Sequence, residues 1–142
     1  MERRNFITQI GIGTFAAGAA IPLISDGMEN PGKNGTTTPL TTKEIRHMVI
    51  FDLSHEKGSP QAEKFLNDGG QILSKIPVVR NFQVFNQVSL KNDYTYGFSM
   101  EFDNPSDYAT YNNHPDHVGF VENRWKKEVA RFMEIDFKLH QE

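Results

Sequence analysis

The run Tyr111-Asn112-Asn113-His114-Pro115-Asp116-His117-Val118-Gly119-Phe120 sets one phenol and two imidazoles within seven residues. Imidazole is the side chain whose ordinary pKa lies near neutrality, so it can take or give a proton without extreme perturbation. Proline suits the first position of a helix, where its missing N–H would have had no intrahelical partner. The pattern therefore predicts His114 as a helix cap, Pro115 as the first helical residue and His117 one turn in. The positive end of the helix dipole disfavours an imidazolium, which makes a neutral His117 a candidate proton acceptor. The same residues also fit a purely structural reading, in which His-Pro is capping chemistry and a half-buried histidine satisfies a backbone carbonyl.

Ordered elements must hold such groups in place. Ile45 to Leu53 is dense in β-branched and aromatic residues and predicts a strand. His47, Val49, Phe51 and Leu53 alternate on one side and Met48 and Ile50 on the other, so both faces of this strand expect cover. Ser59-Pro60 signals a helix start, and Ala62, Phe65, Leu66, Ile72, Leu73 and Ile76 follow at helical spacing, with Gly69-Gly70 a site for a bend. Pro77 ends that helix. A second strand is expected over Val79 to Val88, with Phe82, Val84 and Val88 on one face. Lys91-Asn92-Asp93 is turn chemistry, and Tyr94 to Phe102 alternates strictly, aromatic residues and Met100 on one side. Asn104-Pro105 opens a short helix to about Asn112 and His114-Pro115 another to about Val129. A last strand over Phe132 to Leu139 is expected to turn Met133, Ile135 and Phe137 inward.

The order β-α-β-β-α-β is an α+β, ferredoxin-like unit: a four-stranded antiparallel sheet with helices on one face. About 95 residues supply no second layer for the other face. A second copy of the chain is the expected cover, giving a homodimer in which two sheets enclose a dimeric α/β barrel.

The chain has 142 residues, 37% hydrophobic and 23% charged, enough for one globular domain. Its net charge is -3 with dispersed basic residues, so a nucleic-acid partner is not expected. The absence of cysteine excludes disulfides, thiolate metal sites and a cysteine nucleophile. Residues 1–25 read as an export signal. Arg3-Arg4-Asn5-Phe6-Ile7 precedes the Gly/Ala-rich, mildly apolar run Ile10 to Ile24, an order that resembles a bacterial twin-arginine signal. Ala17, Ala19 and Ala20 offer cleavage sites, and left uncleaved the run is the chain's one expected membrane contact. The mature protein is thus expected in the periplasm or cell envelope. Residues 26–43 are rich in Gly, Pro, Thr and Asn and read as a flexible linker, so the domain is assigned to residues 44–142.

His47-Met48-Val49-Ile50-Phe51-Asp52-Leu53, Lys75-Ile76-Pro77-Val78-Val79, Tyr94 to Phe102 and the Tyr111 to Phe120 run together resemble the stress-responsive A/B barrel (Dabb) domain, in the family's order, from about Ile45 to Leu139. The resemblance implies the dimeric α/β barrel reached above from packing. It also implies a candidate chemistry, because a plant polyketide cyclase of this family performs an aldol closure with a strand-one histidine, a tyrosine and the second histidine of the motif. These correspond to His47, Tyr111 and His117. In that reading His117 is the base, Tyr111 orients the imidazole or the substrate, and His47 holds a carbonyl from the barrel interior beside Val49 and Phe51. Val49, Phe51, His114 and Phe120 are the accompanying ligand-contact candidates.

Most members of the family have no assigned activity, and a fold does not confer one. The expected function is therefore binding of a small apolar or carbonyl-containing molecule, with a cyclase- or lyase-like reaction and a structural protein with a filled barrel as alternatives. Phe51, Phe82 and Phe85 are the residues that would fill it. A metal held by His47, His114 and His117 is disfavoured, because no acidic residue joins the set except Asp116, which the helix start directs elsewhere. No cofactor is expected, haem included. A cavity of roughly 300 Å³ beside His117 and Tyr111 separates the binding readings from the structural one.

Overall fold

The computed structural model describes residues 40–141. The expected export signal at 1–25 and the expected linker up to residue 39 lie outside the described residues. Among the described residues no helix is long and apolar enough to cross a membrane.

The elements run β1 (Ile45–Leu53), α1 (Pro60–Leu73), β2 (Arg80–Asn86), β3 (Tyr96–Phe102), α2 (Pro105–Asn113), α3 (Pro115–Phe120), a π-helical turn (Val121–Trp125), α4 (Lys126–Glu128) and β4 (Val129–Phe137). The strands form one antiparallel sheet in the order β2-β3-β1-β4, which is the ferredoxin-like arrangement. Each long helical segment starts where its cap chemistry dictates. The Ser59 side chain accepts from the Ala62 N–H at 3.2 Å, Asn104 Oδ1 from the Asp107 N–H at 2.8 Å, and His114 Nδ1 from the Asp116 N–H at 3.2 Å, each followed directly by proline.

β1 alternates between buried residues at Ile45, His47, Val49, Phe51 and Leu53 and half-buried ones between them. The buried set faces the helices. Phe51, Phe65 and Phe98 form the centre of the core, with Phe51 and Phe98 edge-on at 4.9 Å between ring centroids and Trp125 closing over Phe51 at the same distance. α1 runs unbroken through Gly69-Gly70. A Cβ on Gly69 would stand 2.9 Å from the Phe98 ring and 3.1 Å from that of Phe120, so the glycine lets helix and sheet approach.

Three strand expectations are corrected. β2 is shorter than expected: it ends at Asn86, so Val88 lies beyond it and is 89% exposed, and near its start Asn81 adopts a left-handed φ of 48° where the register with β3 slips between Arg80 and Gln83. β3 starts at Tyr96 rather than Tyr94. The largest correction concerns β4, where Met133, Ile135 and Phe137 do not point into the core. They pair across from Ile50, Met48 and Arg46 on the face away from the helices, with Met133 and Phe137 about half exposed. The set facing the helices is Phe132, Glu134 and Asp136, opposite Phe51, Val49 and His47.

On the back of the sheet Arg46 donates to Glu101 at 2.6 Å at one end and Arg131 to Asp52 at the other, and Met48, Ile50, Phe85, Met133, Ile135 and Phe137 make an apolar, partly open patch between them.

Candidate functional site

His47 occupies the helix-covered face of β1, so its imidazole enters the layer between sheet and helices. This corrects the expectation that it projects into a barrel between two copies. Strand alternation put it on the same side as Val49 and Phe51, but that side is the one packed by α1 to α4.

A cavity of about 350 Å³ lies in this layer. The sheet contributes His47, Val49, Phe98, Met100, Phe132 and Glu134 to its walls. The helical side contributes Leu73, Tyr111, His117, Phe120, Val121, Trp125 and Lys126. Lys126, Phe132 and Glu134 are exposed, so the cavity opens beside β4, an edge strand. Val121 and Trp125 reach the wall from the π turn, in which the Lys126 N–H donates to the Val121 carbonyl five residues back. Such turns insert one residue into a helix and are frequent at functional sites.

The expected trio His47, Tyr111 and His117 comes together on this cavity. The Tyr111 ring packs against the His117 imidazole with centroids 4.3 Å apart and lies 6.3 Å from that of His47. Val49 and Phe120 also line the cavity, whereas two of the expected ligand contacts do not. Phe51 is fully buried in the aromatic core, and His114 is occupied as the cap of α3. Phe82 packs on Phe98 at 5.3 Å and Phe85 lies 41% exposed on the back of the sheet, so neither fills the cavity. Among the described residues no three His, Asp or Glu side chains are grouped to hold a metal.

Two further residues belong to the site. Asp136 Oδ1 is 2.6 Å from His47 Nδ1, and the Tyr108 hydroxyl is 3.0 Å from the same nitrogen and 3.1 Å from Asp136 Oδ2. A carboxylate accepts, so His47 Nδ1 carries the proton, shared with the Tyr108 oxygen, while the Tyr108 O–H donates to Asp136. The triangle fixes the ring and leaves Nε2 as its free nitrogen. Signals for both residues exist in the sequence. Tyr108 precedes Tyr111 by one helical turn, and Asp136 lies in the polar half of the β4 alternation.

His117 is held separately. Its Nδ1 is 3.1 Å from the Asn112 carbonyl, which only accepts, so Nδ1 is the protonated nitrogen and the Nε2 lone pair stays available. Burial pushes the His117 pKa below its ordinary value, against an upward pull from the Asn112 bond and Glu134, and the His47 and His114 imidazoles add to the depression. Burial likewise raises the Tyr111 phenol, helped by Tyr108 and Glu134. The Tyr108 phenol is raised by burial and by Asp136. Both phenols remain protonated donors. Tyr111 is 3% exposed as a residue, and its hydroxyl, which has no hydrogen-bond partner among the described residues, is left accessible from the cavity.

Comparison with known proteins agrees with this architecture. The sequence model of the Stress Responsive A/B Barrel Domain (Dabb) family matches residues 45–139. A Dabb family protein with a ferredoxin-like fold from Mesorhizobium loti is 46% identical, with a TM-score of 0.69 over 70% of this chain and 99% of that one. A dimeric ferredoxin-like protein of unknown function from Thermobifida fusca is 20% identical, with a TM-score of 0.58 over 71% of this chain and 95% of its own. The hydroxynitrile lyase of Passiflora edulis is 11% identical, with a TM-score of 0.62 over 72% and 98% of the respective chains. At these identities the last two show the shared fold alone.

Proposed function

The chain belongs to the stress-responsive A/B barrel (Dabb) domain family, and from that premise we propose that it binds a small, largely apolar molecule bearing a carbonyl group in the cavity between its sheet and helices. The observation that carries this reading is the Tyr111 hydroxyl. It stands at the cavity wall with no protein partner among the described residues and is not itself sealed off, so a ligand oxygen can take its O–H in place of water. The remaining wall is mostly apolar, which suits a compact hydrocarbon body. Cyclohexanone titrated into the protein and followed by protein-observed NMR tests it. Shifts should centre on Tyr111, His117 and Phe98, and Tyr111→Phe should weaken binding about five-fold, the worth of one hydrogen bond. Shifts absent or located elsewhere overturn the reading.

A second reading is supported by the fixed, unprotonated Nε2 of His117. Next to a bound carbonyl, this nitrogen would take a proton from the adjacent carbon while the electron pair moves onto the oxygen, where the Tyr111 O–H donates. The simplest consequence is exchange of the α-hydrogens of cyclohexanone for deuterium in heavy water. The protein should accelerate it, and His117→Gln should remove the acceleration.

The apolar back face supports a homodimer in which a second copy covers Met48, Ile50, Met133, Ile135 and Phe137, the two sheets closing a barrel. Arg3-Arg4-Asn5-Phe6-Ile7 and the following apolar run support export from a bacterial cytoplasm, which fractionation of cells carrying Arg3→Lys with Arg4→Lys would test by retention of the precursor.

A further inference from the structure

Glu134 stands at the mouth of the cavity on the helix-facing side of β4, in register with Val49. It has no hydrogen-bond or ion-pair partner among the described residues. Its charged neighbours are all engaged elsewhere. Asp136, two residues on, has one oxygen on His47 and the other on Tyr108. Lys126, the one cation on the cavity wall, is paired with Glu122. Glu134 is thus the only wall carboxylate left unengaged, and its field reaches Tyr108, Tyr111 and His117.

The rest of the polar inventory points the same way. His117 offers the Nε2 lone pair, because its Nδ1–H is spent on the Asn112 carbonyl. Tyr111 offers one O–H, enough for a single acceptor. A ligand that fits this set brings one acceptor for the phenol and its own donors for Glu134 and His117. An anionic group at the mouth would meet the Glu134 carboxylate, and the wall cation Lys126 already has Glu122 as its counter-ion.

We propose that Glu134 is the specificity-determining residue of this cavity, selecting ligands that carry a cationic amine, or failing that a hydroxyl, at the end nearest the mouth and rejecting carboxylates. The assignment rests on the cavity being a binding site, as argued above, and adds the charge class of what enters.

Three cyclohexyl probes of nearly equal shape test it: cyclohexylmethylamine, cyclohexylmethanol and cyclohexanecarboxylate. None absorbs where tryptophan does, and Trp125, the sole tryptophan, lines the cavity, so binding to the full-length protein at neutral pH is read from its fluorescence. The amine should bind about ten-fold tighter than the carboxylate, with the alcohol between them, the size of effect a partly exposed ion pair and its like-charge counterpart produce together. Glu134→Gln should bring the amine-to-carboxylate ratio close to one, while Glu63→Gln, the same charge change on the exposed face of α1, should leave it unaltered. If the probes bind without this preference, or if Glu134→Gln keeps it, the charge selection is wrong and the binding site stands. If none of the three binds while cyclohexanone does, the charge selection is wrong and the binding site stands; if cyclohexanone fails as well, the binding site fails and the selection with it.

Discussion

Both faces of the sheet carry apolar side chains, and the two are used in opposite ways. On the helix side, Phe51, Phe98, Met100 and Phe102 are at most 1% exposed and interlock with Phe65 and Phe120, yet the same layer keeps a cavity with two imidazoles and a phenol at its wall. On the back, Met133 and Phe137 are half open, and the charged groups beside them, Arg46 and Arg131, are paired with Glu101 and Asp52. Apolar residues mark a surface to be covered, whereas polar residues inside an otherwise apolar layer mark the place where something is recognised.

The sharpest way to break this contrast is to truncate an aromatic residue on each face. Phe98→Ala should lower the unfolding free energy by about 3–5 kcal/mol in a denaturant titration, since the ring contacts Phe51, Phe65, Phe82 and Trp125. A cost below 1 kcal/mol would mean that the helix-side layer is loosely packed. Gly69→Ala should cost about 1–2 kcal/mol despite better helix propensity, because its Cβ meets the rings of Phe98 and Phe120. Phe137→Ala should cost only about 1 kcal/mol at high dilution, with a larger cost at higher protein concentration. A concentration-independent cost would mean that the back face stays open. The smallest effect is a pH dependence. The folded pKa of His117 lies below its unfolded value, so its contribution is complete above about 6.5 and is lost as pH falls through the lowered folded value. His117→Asn should flatten the stability profile in that window while leaving the acid limb set by Glu44, Asp52, Asp68 and Glu128, whose pKa values are also depressed.

Much of this was readable from the chain. The three caps followed by proline, the β1 alternation and the strict period of β3 fix the element order, because local backbone chemistry decides each. His47, Tyr111 and His117 were legible as a group through the family resemblance, but the side of the sheet on which they meet was not. β4 explains why. Its apolar set, Met133, Ile135 and Phe137, obeys the usual rule of facing cover, and the rule cannot tell cover by helices from cover by another molecule. Reading that set as inward sent Glu134 and Asp136 outward and hid the partner of His47. Tyr108 was missed because its role depends on a residue 28 positions away, a pairing that only the β1–β4 register creates.

The left-handed Asn81 bears on how copies of this chain avoid one another. β2 forms one rim of the sheet, and a straight rim would offer its spare amides and carbonyls as a template for zipping on a foreign strand. The kink at Asn81 and the slipped register interrupt that row. What remains regular is the short row from Gln83 to Asn86, a poor template for fibre-like stacking along this rim.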